Sequence, residues 1–177
     1  MSMNLLGIHH ITAIAGEPQR NLDFYRNVLG LRLVKRTVNF DDPNSYHFYF
    51  GDALGKPGTV LTFFPWPGAR RGTRGNSQVV VTSFTIPAGA LNYWSDHLKE
   101  QNIRVENILR FGEQGLRFTD PDGLLLELIA SAPAEEVDVS YSNAKPPEFA
   151  PHGFHAPTLQ VEESSPTAKL LVETSTV

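Results

Sequence analysis

Residues 7–30 read GIHHITAIAGEPQRNLDFYRNVLG, and residues 120–130 read DPDGLLLELIA. These two stretches decide the fold. In the first, residues 8–14 form a strand-like run that passes through AGEPQR into a helix. There Leu22, Tyr25, Val28 and Leu29 recur at helical spacing and Gly30 supplies a stop, so the pattern predicts a helix over 19–29. LRLVKRTVNF, YHFYFGD and GTVLTFFPW follow as strands. The same order then returns. VVVTSFTIP is β-branched and ends at Pro87, and Leu91, Trp94 and Leu98 place a second helix over 89–101. RVENILRF, EQGLRFTD and GLLLELIA read as the next strands, the last opened by the turn residues Asp120 to Gly123. Phe24 and Tyr93 stand 69 residues apart, as do Leu29 and Leu98, while Gly58 and Gly123 stand 65 apart. The expected fold is α+β, made of two βαβββ modules over residues 5–66 and 79–131, with the helices outside.

Between the modules, residues 67–78 form a Pro/Gly-rich linker with Arg70, Arg71 and Arg74. A solvated linker explains these arginines, and a grip on an anionic ligand is the rival. Residues 132–151, with Pro146 and Pro147, read as a connector. Residues 152–177 resemble the opening of the first module, Gly153 matching Gly7 and His155 matching His9, and are expected to be an incomplete third module. A strand and helix alone cannot bury an apolar face. Completion by another chain, in a homodimer, is therefore expected.

The 177 residues hold no Cys, which excludes disulfide scaffolds, thiolate nucleophiles and Cys-type metal sites. Net charge is −4, so no basic field attracts nucleic acid. No run approaches the roughly 18 apolar residues of a membrane span, and residues 1–14 lack a positive n-region and cleavage site. A cytoplasmic protein with no membrane partner is expected. Any metal would be held by His, Asp, Glu, Tyr or backbone oxygen.

Two positions carry candidate metal chemistry. His9 and His10 sit side by side on a strand, where alternation sends them to opposite faces. Glu127 interrupts an otherwise apolar strand, and a carboxylate there needs a metal or an arginine as partner. Histidine with carboxylate is ligand chemistry for octahedral Fe(II), Mn(II) or Ni(II), or for zinc with more nitrogen. His97 is expected to be exposed on its helix, and His152 carries no assignment.

GIHHITAI, NLDFYRNVLGLRLV and DPDGLLLELI resemble the vicinal oxygen chelate superfamily, which includes glyoxalases, bleomycin-resistance proteins and extradiol dioxygenases. DDPNSYHFYFGD, GTVLTFFPWPGA and SFTIPAGALNYW resemble its two-domain ring-cleaving branch, which acts on hydroquinones. The resemblance implies half-open curved sheets, a small aromatic substrate such as a hydroquinone or catechol, and Fe(II) or Mn(II). It places His10 and Glu127 at metal-ligand positions. The two companion positions fall on Thr62 and on Val80 or Val81, neither a useful ligand type. In the ring-cleaving branch the first module is paired with a fourth, so Glu127 is a ligand or a superfamily remnant, and the metal is absent if this short chain stands alone. Ala156 occupies the third-module position matching His10. His9 and Thr12, with His47 beside them, are the candidate proton-handling residues. The rival function is a metal-free binding protein of the bleomycin-resistance type, its cavity lined by Phe48, Phe50, Phe63, Phe64 and Trp66. An inactive half-length product is the third reading.

Overall fold

The computed structural model describes residues 7–132 and 145–175. The expectations for residues 5–6, for 133–144 of the connector and for 176–177 lie outside them. Strand β1 (His10–Ala15) leads into α1 (Pro18–Asp23) and a π-helical turn (Phe24–Val28), followed by β2 (Arg32–Val38), β3 (Tyr46–Gly51) and β4 (Val60–Pro65). These strands form one sheet in the order β1-β4-β3-β2, with β1 and β4 parallel. Then come β5 (Gln78–Ile86), α2 (Leu91–Glu100), β6 (Glu106–Arg110), β7 (Glu113–Thr119) and β8 (Leu125–Ala130). They repeat the pattern, with β5 and β8 parallel. The glycines at the two matching turns, Gly58 and Gly123, have φ of 87° and 88°, a conformation that side chains with a Cβ rarely adopt.

The first helix differs in detail from the regular helix expected over 19–29. Pro18 starts it, where the missing N–H costs nothing. After Asp23 the turn widens, Leu29 N–H reaching Phe24 O and Leu31 N–H reaching Tyr25 O. The wider turn puts Phe24, Tyr25, Leu29 and Leu31 all into the core.

Strand β9 (Phe154–Gln160) joins the second sheet, giving the order β6-β7-β8-β5-β9, and α3 (Ser164–Ser175) follows it. β9 runs antiparallel to β5. Its first residue also touches the first sheet: Phe154 N–H donates to Gly58 O, and Gly58 N–H donates to His9 O. The second sheet is strongly curled. Its edge strands β6 and β9 meet through Arg110, whose guanidinium donates to Thr158 Oγ1 at 2.9 Å.

Both modules share a core behind the sheets, with Tyr25, Phe48, Phe50, Phe63, Phe84, Trp94 and Leu98 essentially sealed from water. Each contributes about 1.5–3 kcal/mol by apolar burial. The modules are also tied by polar contacts. Tyr25 Oη donates to Asp120 Oδ2 at 3.0 Å. His97, expected on the surface, is instead half-buried, its Nε2 3.0 Å from Val28 O and 2.7 Å from Lys145 Nζ. Helix α2 packs against the turn of the first module at this point, so the histidine bridges the seam. Two of the linker arginines fold back on the DPDG turn, the Arg71 guanidinium lying against Gly123 and Arg74 donating to Gly123 O at 2.6 Å.

Gly115 lies inside the curl of the second sheet. A Cβ there would stand 2.8 Å from Leu128 O and 2.7 Å from Ile129 Cδ1. Because a backbone atom is one of the obstacles, the sheet itself would have to shift. Gly115→Ala is expected to destabilise the protein by about 1–3 kcal/mol, seen as a lower urea midpoint with retained helical circular dichroism.

Candidate functional site

On β1, Ile11, Ala13 and Ala15 turn toward the core, while His10, Thr12 and Ile14 occupy the open concave face. Alternation on β3 does the same: Phe48 and Phe50 are buried behind the sheet, and His47 and Tyr49 stand in front. The result is a half-open cavity of about 460 Å³, whose walls include His9, His10, Lys35, His47, Tyr49 and Thr62. This corrects the expected aromatic lining. Phe48, Phe50 and Phe63 are core residues, each 1% exposed or less, and Trp66 is not part of this wall.

His9 and His10 do not part to opposite faces. His9 precedes the strand, so alternation does not bind it, and its Nδ1 lies 3.0 Å from Nδ1 of His10 with the rings edge-on. One ring donates and the other accepts. When His10 is the donor of the pair, its Nε2 keeps the free lone pair that a ligand atom needs. Thr12 is hydrogen-bonded to Thr62 across the parallel pair β1–β4, Oγ1 to Oγ1 at 2.9 Å.

His47 stacks on Phe64, with ring centroids 3.9 Å apart, and its Nδ1 is 2.9 Å from Tyr49 Oη. Its Nε2 is shut off from solvent without a hydrogen-bond partner, a condition that costs about 1–3 kcal/mol. Burial first, then the Lys35 ammonium and His10, hold its pKa below the ordinary histidine value. The imidazole is therefore neutral at pH 7. Lys35 Nζ lies 5.2 Å above the Tyr49 ring on the same wall. The sequence signal for this group was the alternation in YHFYF.

Glu127 lies on the other sheet, fully buried. Of the two partners open to it, arginine is the one present. Arg117 donates twice to Oε1, at 3.0 and 2.8 Å. Arg110 donates to Oε2 at 2.9 Å and Ser83 Oγ at 2.8 Å. Burial alone would raise its pKa, but the hydrogen bonds from Arg117, Ser83 and Arg110, with the Arg110 charge, outweigh it and hold the carboxyl below the usual range. Sequence reasoning missed both arginines, although each stands on a strand beside the one that carries Glu127 or one further out.

His10 and Glu127 thus belong to different sheets, and Glu127 is fully engaged. Among the described residues no three His, Cys, Asp or Glu side chains gather to hold a metal. The residues present do not fit a complete two-His, one-carboxylate centre. No helix among them is long and apolar enough to cross a membrane.

Glu127→Gln is expected to cost about 3 kcal/mol at pH 7, because both arginines lose their charged partner in a buried place. A depressed carboxyl pKa stabilises the fold above the unfolded value, about 4.3, and that stability is lost as pH falls through the lower folded value. The wild type should therefore lose stability toward acid over this window, while the variant's curve is flatter there. Chemical denaturation at stepped pH measures both.

Comparison with known proteins follows the same geometry. The family model described as "Glyoxalase/Bleomycin resistance protein/Dioxygenase superfamily" matches residues 7–128. MhqO of Bacillus subtilis, named as a ring-cleaving dioxygenase, is 51% identical over 171 residues, which is 97% of this chain and 54% of that protein. The chlorohydroquinone/hydroquinone 1,2-dioxygenase of Sphingobium indicum is 38% identical over 154 residues, 85% of this chain and 48% of that one. A crystal structure of a Bacillus subtilis protein named as a dioxygenase superposes with a TM-score of 0.91 at 50% identity, over 96% of this chain and 55% of the other. The chain spans about half the length of these relatives. With its paired βαβββ sheets and a family match over most of its length, the chain belongs to the glyoxalase/bleomycin resistance protein/dioxygenase superfamily.

Proposed function

We propose that this chain forms the ring-binding half of a ring-cleaving dioxygenase that acts on a hydroquinone-like aromatic. The observation that carries the reading is the contrast between the two concave faces. The second is filled by the Glu127 network, whereas the first is open and presents His10, His47, Tyr49 and Thr62 together. The names of the relatives support the reaction class, and that of the Sphingobium protein supports the hydroquinone.

In this reading the cavity wall holds the ring while Val60 and Val34 supply apolar contact. His10, its ring placed against His9, is the one metal ligand among the described residues, for Fe(II) or Mn(II). The other ligands come from outside the described residues, and Glu127 keeps its arginines. His9 lies against His10 and would hold a proton there, and the Thr12–Thr62 pair, two residues further along the same face of β1, would hold a hydroxyl group of the ring.

Mn(II) is paramagnetic and broadens nearby nuclei, so it tests His10 without activity. Broadening is expected to begin at His10 and its β1 and β4 neighbours, and to be lost in His10→Ala. A pattern unchanged in the variant would refute His10 as the ligand. For the reaction, the chain mixed with the remaining half of MhqO and Fe(II) should consume oxygen with hydroquinone, and His10→Ala should abolish this. Oxygen uptake indifferent to His10 would overturn the dioxygenase reading.

A further inference from the structure

We infer that His97 is a pH-operated switch at the seam of the two modules. Neutral, its Nε2 holds the Lys145 side chain; protonated, it bonds Val28 O instead and lets Lys145 go. The geometry is a triangle about one atom. Nε2 of His97 lies 2.7 Å from Lys145 Nζ and 3.0 Å from Val28 O. An ammonium has three donors and no acceptor, so at this distance it needs a lone pair on Nε2. A carbonyl oxygen only accepts, so it needs a hydrogen on that same nitrogen. One ring nitrogen carries one or the other, never both. The protonated imidazole has a hydrogen on each nitrogen, whichever neutral tautomer it comes from. Protonation therefore decides which partner is bonded.

Lys145 is seated for this role. It is 8% exposed, and no carboxylate among the described residues offsets its burial. Its stem lies over Gly30, where an added Cβ would collide with Lys145 Cγ, and its Nζ is 5.9 Å from the Trp94 ring. A charged His97 would face it with a second positive charge away from bulk water, where repulsion is poorly screened. The other groups about the imidazole are Glu100 on its own helix and Tyr93, stacked at 5.9 Å, with Glu148 acting on Tyr93. The first module presents the Val28 carbonyl. Burial first, then the Lys145 charge, hold the His97 pKa below the ordinary histidine value, against the Val28 bond and Glu100, which raise it. The unfolded chain therefore takes the proton first as pH falls below about 6.5. Stability declines from there down to the folded value. The acid window of Glu127 opens lower, at about 4.3, so the two events are separable.

The test is NMR of the full chain between about pH 7.5 and 5, the range in which histidine titrates. It follows the His97 ring nitrogens and the Lys145 side-chain carbons, which sit beside the Trp94 ring. The Lys145 signals should move toward the free-lysine position with the midpoint of the His97 titration, while the α2 amide signals are retained. His97→Gln offers an amide oxygen to Lys145 and an amide hydrogen to Val28 O at every pH, and should hold Lys145 in place throughout. Lys145→Met keeps the stem over Gly30 without the charge, and should shift the His97 midpoint upward. Lys145 signals indifferent to the His97 titration would overturn the inference, as would a step that persists in His97→Gln or a midpoint unmoved in Lys145→Met. A step accompanied by loss of the α2 signals would be unfolding instead of a switch, and would overturn it too.

Discussion

A buried carboxylate must find positive charge, and Glu127 finds it on two strands at once. Arg117 approaches from the neighbouring β7 and Arg110 from β6, one strand further out. For β6 to reach Glu127, the sheet must curl, and the same guanidinium then touches Thr158 on the opposite edge strand. Charge neutralisation and sheet curvature are thus one feature. An uncompensated charge here would cost several kcal/mol. The interior of the second sheet is consequently occupied by side chains.

The first sheet shows what happens without that carboxylate. Thr62 stands on β4 where Glu127 stands on β8, and each pairs with a hydroxyl on the parallel first strand of its module. Thr12 bonds Thr62 at 2.9 Å, and Ser83 bonds Glu127 at 2.8 Å. The local register is the same and the outcome is opposite. A threonine needs only its neighbour's hydroxyl, recruits no arginine, and leaves the face open for His10 and His47 to line. One residue type at one repeated position separates a sealed module from a receptive one.

Much of this was legible in the residues. The helices followed from Leu22, Tyr25 and Leu29 and from Leu91, Trp94 and Leu98, because a mostly buried stripe leaves a 3.6-residue period. The DPDG turn and Glu127 gave the end of the second module. Long-range choices left less trace. Nothing local says that Glu127 takes Arg110 rather than a metal, since the partners lie 17 residues apart on a strand two removed. The phenylalanines of β3 and β4 are apolar whether they fill a core or line a cavity, and only strict alternation assigns Phe48 and Phe50 to the core and His47 and Tyr49 to the cavity. His9 escaped the alternation rule because the strand begins one residue later.

The placement of His10 depends on residues far along the chain. Gly58 N–H holds His9 O, and Gly58 O in turn accepts from Phe154 N–H, the first residue of β9. This ladder sets the backbone where β1 begins, so the His9 ring arrives against His10 and not on the reverse side of the sheet. β9 is also the strand that pairs with β5 and carries Thr158 to Arg110. It therefore does two things: it closes the second sheet over its own polar interior, and it braces the histidine that opens the first. A segment beginning some 140 residues after His10 is part of the first cavity's construction, which explains why βαβββ repetition alone could locate His10 in the sequence but not orient it.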